Sequence, residues 1–186
     1  MRISIQQLLI IIILNTLIIF HVSADNRESQ LNSLFKELKT KNISLSFEIE
    51  QKIWKIWSTH PNDKKLTDML AKGSELIKVQ KLDKAVNIFT TAINLDPNWA
   101  EAWNKRATVL YLMKKYEASL ADIEITLVLE PRHFGALSGQ ALNYIELNLY
   151  EKAIESYRAA QKIYPIIDGA KKMIPQLEEL IKDQAV

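Results

Sequence analysis

His60 and His133 are the two histidines downstream of the apolar N-terminal stretch, and the chain has no cysteine. A proton-transfer or metal site working near neutral pH would have to be built on one of them. Neither has the spacing for it, since there is no His-x-x-x-His pair, no aspartate cluster and no second pair of ligands. His60 precedes Pro61 at a helix end, where an imidazole interacts with the last carbonyls and the helix dipole. His133, in EPRHFGALSG, either caps a turn or packs between helices, or stands with Arg132 at the mouth of a groove. No serine has a G-x-S-x-G elbow, and the nearest string, ALSGQA, reads as helix. Gly135 and Gly139 lack the G-x-x-x-x-G-K arrangement of a phosphate loop. Carboxylates such as Asp122 with Glu124, and Glu151 with Glu155, read as solvated helix faces. No catalytic residue, cofactor or metal is expected, and an enzyme is the remote alternative.

The elements behind these residues are helical. Four glycines in 186 residues and 48% hydrophobic side chains argue for packed helices rather than loops or cradles. With 24 Lys plus Arg against 22 Asp plus Glu, the chain has a net charge of +2 and no clustered basic face for nucleic acid. The first 24 residues differ in kind. MRISIQQLLIIIILNTLIIFHVSA has one Arg, an apolar run from Leu8 to Phe20 and small residues at its end, the pattern of a signal peptide cleaved after Ala24. The alternative is an anchor retained over residues 3–22, and only that alternative brings a membrane. Without cysteine the exported chain has neither disulfides nor a lipid attachment site, so packing alone must hold it.

A period of 34 residues organises the rest. Pro97, Pro131 and Pro165 each follow an apolar run. In register with them lie small columns Gly73/Ala107/Ala141, Ala85/Ser119/Ala153 and Ala92/Thr126/Ala160. Large columns are Met69/Trp103/Leu137, Leu76/Leu110/Tyr144, Leu82/Tyr116/Tyr150, Phe89/Ile123/Tyr157 and Leu95/Leu129/Ile163. Steps of three, four and seven within each copy are those of one helix face. Small residues let two helices approach, large ones fill the grooves beside them, and the proline ends the second helix. Each copy is therefore a helix, a turn (KVQKLDK, LMKKYEA, ELNLYEK) and an antiparallel helix.

A 34-residue helix pair with Trp, Gly or Ala, Tyr, Ala, Phe, Ala and Pro in this order resembles the tetratricopeptide repeat. AEAWNKRATVLYLMKKYEASLADIEITLVLEP is the copy most like the family pattern, and the third departs with Leu137 for Trp and Gly139 in its first helix. The expected fold is all-α, a right-handed superhelical solenoid of antiparallel helix pairs with helical caps. Repeats span 66–99, 100–133 and 134–167. Residues 25–61 form a degenerate first helix pair and N-terminal cap, with Ile49, Ile53 and Ile56 in the columns of Ala85, Phe89 and Ala92. Residues 168–186 form a C-terminal capping helix that Pro175 either kinks or delays. IWKIWSTHPN, AEAWNKRAT and LEPRHFGALSGQ also resemble small exported bacterial proteins of this family, which implies an envelope location, the periplasm.

The resemblance implies that first helices line a concave groove for a peptide or helix of a partner protein. The groove residues are Leu70, Ser74 and Ile77; Asn104, Thr108 and Tyr111; and Ser138, Leu142 and Ile145. Family members that clamp a C-terminal carboxylate use Lys, Arg and Asn on these faces. Here Asn104, Lys78 and Lys105 are the candidates and the combined pattern is missing. Trp57 edges the isoleucine stripe and reads as core. Phe47 and Trp54, seven apart on the opposite side, are either covered by the Leu31–Leu38 helix or form an exposed second patch. That patch would serve the alternative function, a self-associating or membrane-tethered assembly factor.

Overall fold

The computed structural model describes residues 26–184, so the proposed signal segment lies outside the described residues. Among the described residues there are helices and turns and no strand. They are α1 (26–37), α2 (Ile43–Ser58), α3 (Lys64–Lys78), α4 (Leu82–Leu95), α5 (Ala100–Leu112), α6 (Tyr116–Leu129), α7 (Phe134–Glu146), α8 (Tyr150–Ile163) and α9 (Asp168–Gln184). No helix among them is long and apolar enough to cross a membrane.

From α3 onward each helix packs on the next, and first helices also meet across the stack, α3 on α5 and α5 on α7. The small columns do what their size requires. Ala85, Ala92, Ala107, Ser119, Thr126, Ala141, Ala153 and Ala160 are all buried where helix backbones approach. Gly73 has no room for a side chain, since a Cβ there would collide with the Phe89 ring. Ser119 adds a bond, its hydroxyl donating to the Ala107 carbonyl at 2.8 Å and so tying α6 to α5.

The turns repeat as faithfully as the columns. Gln80, Lys114 and Asn148, again 34 apart, have φ of 57°, 58° and 59°. Each stands just past a helix end, and the next residue's N–H returns to the carbonyl five back (Lys81 to Leu76, Lys115 to Leu110, Leu149 to Tyr144). This satisfies carbonyls that the helix leaves open, through a left-handed residue that is usually glycine. The proline junctions repeat too. The Asp96 and Glu130 carboxylates accept from the N–H two residues on, at 2.9 and 3.0 Å.

The first helix pair departs from the expected stacking. Ile49 and Ile53 are buried, but not beside the first repeat in the columns of Ala85 and Phe89. Their cluster contains Leu31, Leu34, Phe35 and Leu38 of the α1 segment, Trp57, and Phe134 and Tyr164 from later repeats. The reason is that α2 lies across the repeat junctions instead of adding another layer. The Trp57 carbonyl accepts from Trp99 Nε1 at 2.9 Å at the first junction. The Trp57 ring stacks on His133 at 4.1 Å at the second. At the third, the Tyr164 hydroxyl donates to Glu50 at 3.2 Å. A helix rises ~1.5 Å per residue, so α2 bridges these junctions within its own length. The pair forms a strap over one edge of the stack. Leu129 and Ile163 lie against the strap and are half-buried, whereas Leu95, in the same column, is 57% exposed. In α9 the helix starts at Asp168 and runs through Pro175, so proline does not delay it.

Candidate partner-binding groove

Between α5 and α7 lies a cavity of about 200 Å³ lined by Asn104, Thr108, Tyr111, Ser138, Leu142 and, on its floor, Ile123 and Asn143. The fold positions them simply. Positions 104, 108 and 111 advance by four and three along one face of α5, and 138 and 142 do so on α7. Gly139 leaves room above Ile123, which a Cβ would only touch, at 3.6 Å. Thr108 and Ser138 donate to carbonyls of their own helices, Asn104 and Phe134, at 2.9 Å each. Their hydroxyl oxygens keep acceptor capacity towards the cavity.

Five of the nine expected groove residues therefore line one cavity. The other four do not. Leu70 is 2% exposed in the core of the first repeat, with Ile77 packed against the same cluster. Ser74 is half-buried and donates to the Leu70 carbonyl at 2.9 Å. Ile145 packs against the cluster of the third repeat. Spacing gives the helix on which each of these residues lies, but not the depth at which it sits.

Asn143 is the feature that the sequence concealed. Its amide nitrogen donates to Ser119 Oγ at 3.0 Å and to the Gly139 carbonyl at 2.8 Å. Those two bonds fix the amide's orientation, and its Oδ1 is left buried without a partner.

A second polar cluster joins the second repeat to the third. His133 is fully buried; its Nδ1 accepts from the Ala136 N–H at 3.0 Å, capping α7, and its Nε2 meets Glu101 Oε2 at 2.9 Å. With Nδ1 accepting, Nε2 carries the proton and donates. Asn104 Nδ2 donates to the same oxygen at 3.0 Å, and Lys105 Nζ lies 3.1 Å from Oε1. Burial pushes the Glu101 carboxyl upward, but the bond from His133 and the Lys105 charge outweigh it and hold the group below the usual range. Arg132 bonds Glu130, Asn32 and Glu28 and lies over the Phe35 ring. His133 and Arg132, the possible groove mouth, are thus spent on fastening the strap. His60 repeats the His133 pattern, accepting from Asp63 N–H at 2.9 Å and meeting Asp96 at 2.8 Å, instead of serving the end of α2.

The aromatic patch divides. Trp54 is half-buried against His133 and Phe134, over Gly135, where a Cβ would strike its indole. The covering elements include α7, its entry turn and Lys105 of α5, which lies 5.6 Å from the ring. Phe47 stays 58% exposed, beside Ile43 and Leu45. Asp122 also departs from the solvated reading. It is buried and receives both Arg106 Nε and Nη2, at 2.7 and 2.8 Å, joining α6 to α5.

The carboxylate-clamp candidates are committed elsewhere. Asn104 and Lys105 serve Glu101, and Lys78 pairs with Glu75 at 2.6 Å. Among the described residues no group of three or more His, Asp or Glu is gathered as a metal site.

Antiparallel helix pairs at a 34-residue period, joined by left-handed turns, define the class: a helical repeat protein. The tetratricopeptide-repeat family model matches residues 69–98 and 136–166, so the chain carries repeats of that family. It is 28% identical over 158 residues to a TPR repeat-containing protein of Rhizobium etli, covering 84% of this chain and 77% of that one. It is 30% identical over 122 residues to Hsp70-Hsp90 organizing protein 1 of Glycine max, of which it spans 21% and which matches 63% of this chain. Among solved structures, the first TPR of Spaghetti (RPAP3) bound to the HSP90 peptide SRMEEVD superposes with a TM-score of 0.62 at 20% identity, over 65% of this chain and 96% of that one. The Sgt2 TPR domain of Aspergillus fumigatus gives 0.63 at 18% identity, over 66% and 83%. At these identities the two structures establish the fold.

Proposed function

We propose that the chain is an exported, non-enzymatic interaction scaffold that holds a peptide or helix of a partner protein in the cavity between α5 and α7. The observation that carries this reading is the cavity itself: apolar walls, hydroxyl and amide rims, and a buried acceptor at its floor. An extended or helical segment needs such mixed contacts, because its backbone must find polar partners while its side chains find apolar ones. Relatives support the general mode, since an RPAP3 repeat domain was solved with an HSP90 peptide. That peptide, SRMEEVD, is acidic, and Asn104, Lys78 and Lys105 here are already bonded within the chain, so the partner segment differs in kind. His133 caps α7, and His60 bonds the Asp63 N–H and the Asp96 carboxylate, so both imidazoles serve the repeat junctions.

Two experiments test the parts separately. Crosslinked pull-downs from envelope extract should recover a partner with the wild type and lose it with Thr108→Trp, which fills the cavity from an exposed helix position. Recovery of the same partner by both would place binding elsewhere. N-terminal sequencing of the cell-derived protein should begin at Asp25, and an intact Met1 would contradict cleavage.

A second reading is favoured by one observation: Ile43 and Phe47, four apart on one face of the first turns of α2, are both exposed. Self-association through that face would make sedimentation concentration-dependent and sensitive to Phe47→Glu.

A further inference from the structure

At the far end of the cavity, α5 and α7 present their C-termini side by side. The last turn of neither contains a basic residue, so the partial negative charge of two helix ends is not offset by a cation on either helix. Glu146, the last residue of α7, is exposed there, and the Tyr116 hydroxyl donates to its Oε2 at 2.9 Å. The Tyr111 ring, which lines the cavity, lies 5.8 Å from that of Tyr116. Among the described residues no lysine or arginine ion pair engages Glu146, although Lys114 and Lys115 lie in the adjoining turn. Elsewhere along the first helices Lys64 pairs with Asp68, Lys78 with Glu75 and Lys105 with Glu101. The neighbouring carboxylate and partial burial both raise the Tyr111 hydroxyl above its ordinary range, burial being the larger cause. It therefore stays protonated and neutral throughout the physiological range.

Two aromatic rings, a carboxylate and two helix C-termini form an environment for a cation. We infer that the groove's occupant is a basic segment of a partner protein, with an apolar side chain in the α5–α7 cavity and an adjacent lysine or arginine between Tyr111, Tyr116 and Glu146. This rests on the groove reading and deepens it by naming the partner's chemistry. It is opposite in charge to the acidic peptide seen with the RPAP3 repeat domain.

The probe is a random dodecapeptide phage library selected on the full chain, followed by fluorescence anisotropy on the peptides recovered. The expected result is enrichment of Lys or Arg beside Leu, Ile or Met. Replacing that basic residue by glutamine should weaken binding by about five- to tenfold, the size of one partly exposed cation contact. Glu146→Gln should cause a similar loss and make the peptide substitution nearly silent. Peptides that bind and are blocked by Thr108→Trp, yet show no basic preference or ignore Glu146→Gln, would overturn this inference and leave the groove standing. Recovery of no peptide, or binding that survives Thr108→Trp, would overturn the groove reading with it.

Discussion

Glu101 shows how a single side chain can organise a joint between repeats. Its carboxyl is held below the usual range in the fold, so the unfolded chain takes up the proton first as pH falls. Its contribution to stability is therefore complete above the unfolded carboxylate pKa of about 4.3 and is lost as pH falls through the folded value. Glu101→Gln should flatten the acid limb of a stability–pH curve. At neutral pH it should cost about 3–5 kcal/mol, because partners of a buried charge lose their match. Urea melts at pH 7 and pH 4 would read both effects. Two glycines give opposite expectations. Gly73→Leu drives a side chain into Phe89 and should cost about 1–3 kcal/mol. Gly139→Ala meets Ile123 at ordinary contact distance and should gain about 0.5–1 kcal/mol. The small columns were legible in the sequence because a repeated size at a fixed period has few other causes. The Glu101–His133 bond was not, because its members are 32 residues apart and neither differs from a surface residue of its type. Asn143 was hidden for the same reason: its bonds run to Ser119 and to a backbone carbonyl.

At the scale of the element, the strap is the chief departure from a plain stack. The sequence showed that α1 and α2 exist and which stripes they bury, since Leu31, Leu34, Leu38, Ile49 and Ile53 keep helical spacing and are buried. It did not show where the pair docks, because the isoleucines fit the repeat columns equally well. Trp57 decides it, by ring stacking on His133 and by its carbonyl bond from Trp99. Trp57→Ala should therefore cost about 3–5 kcal/mol and lower the thermal midpoint, although the residue lies outside all three repeats. A loss under 1 kcal/mol would mean the strap is not tightly docked. The turns carry a smaller expectation. Lys114 occupies a left-handed conformation that costs a side-chain-bearing residue about 1 kcal/mol, so Lys114→Gly should raise stability by up to that amount in the same melts.

Over the whole molecule, the 34-residue period set the architecture, and the groove followed from which helix of each pair faces inward. Depth along that groove was less legible. Leu70 and Ile77 fell into the core of the first repeat, so the open cavity lies between the second and third. The strap covers the opposite, N-terminal ends of α5 and α7, with Trp54 seated over Gly135. A partner segment therefore has its free approach from the Tyr111 and Glu146 side. The most direct test is amide chemical-shift mapping of the labelled protein during titration with a selected peptide. Shifts concentrated at Thr108, Tyr111, Ser138 and Leu142 are the predicted result. Shifts centred on Ile43, Leu45 and Phe47, with the α5–α7 cavity silent, would contradict a scaffold that works through its groove.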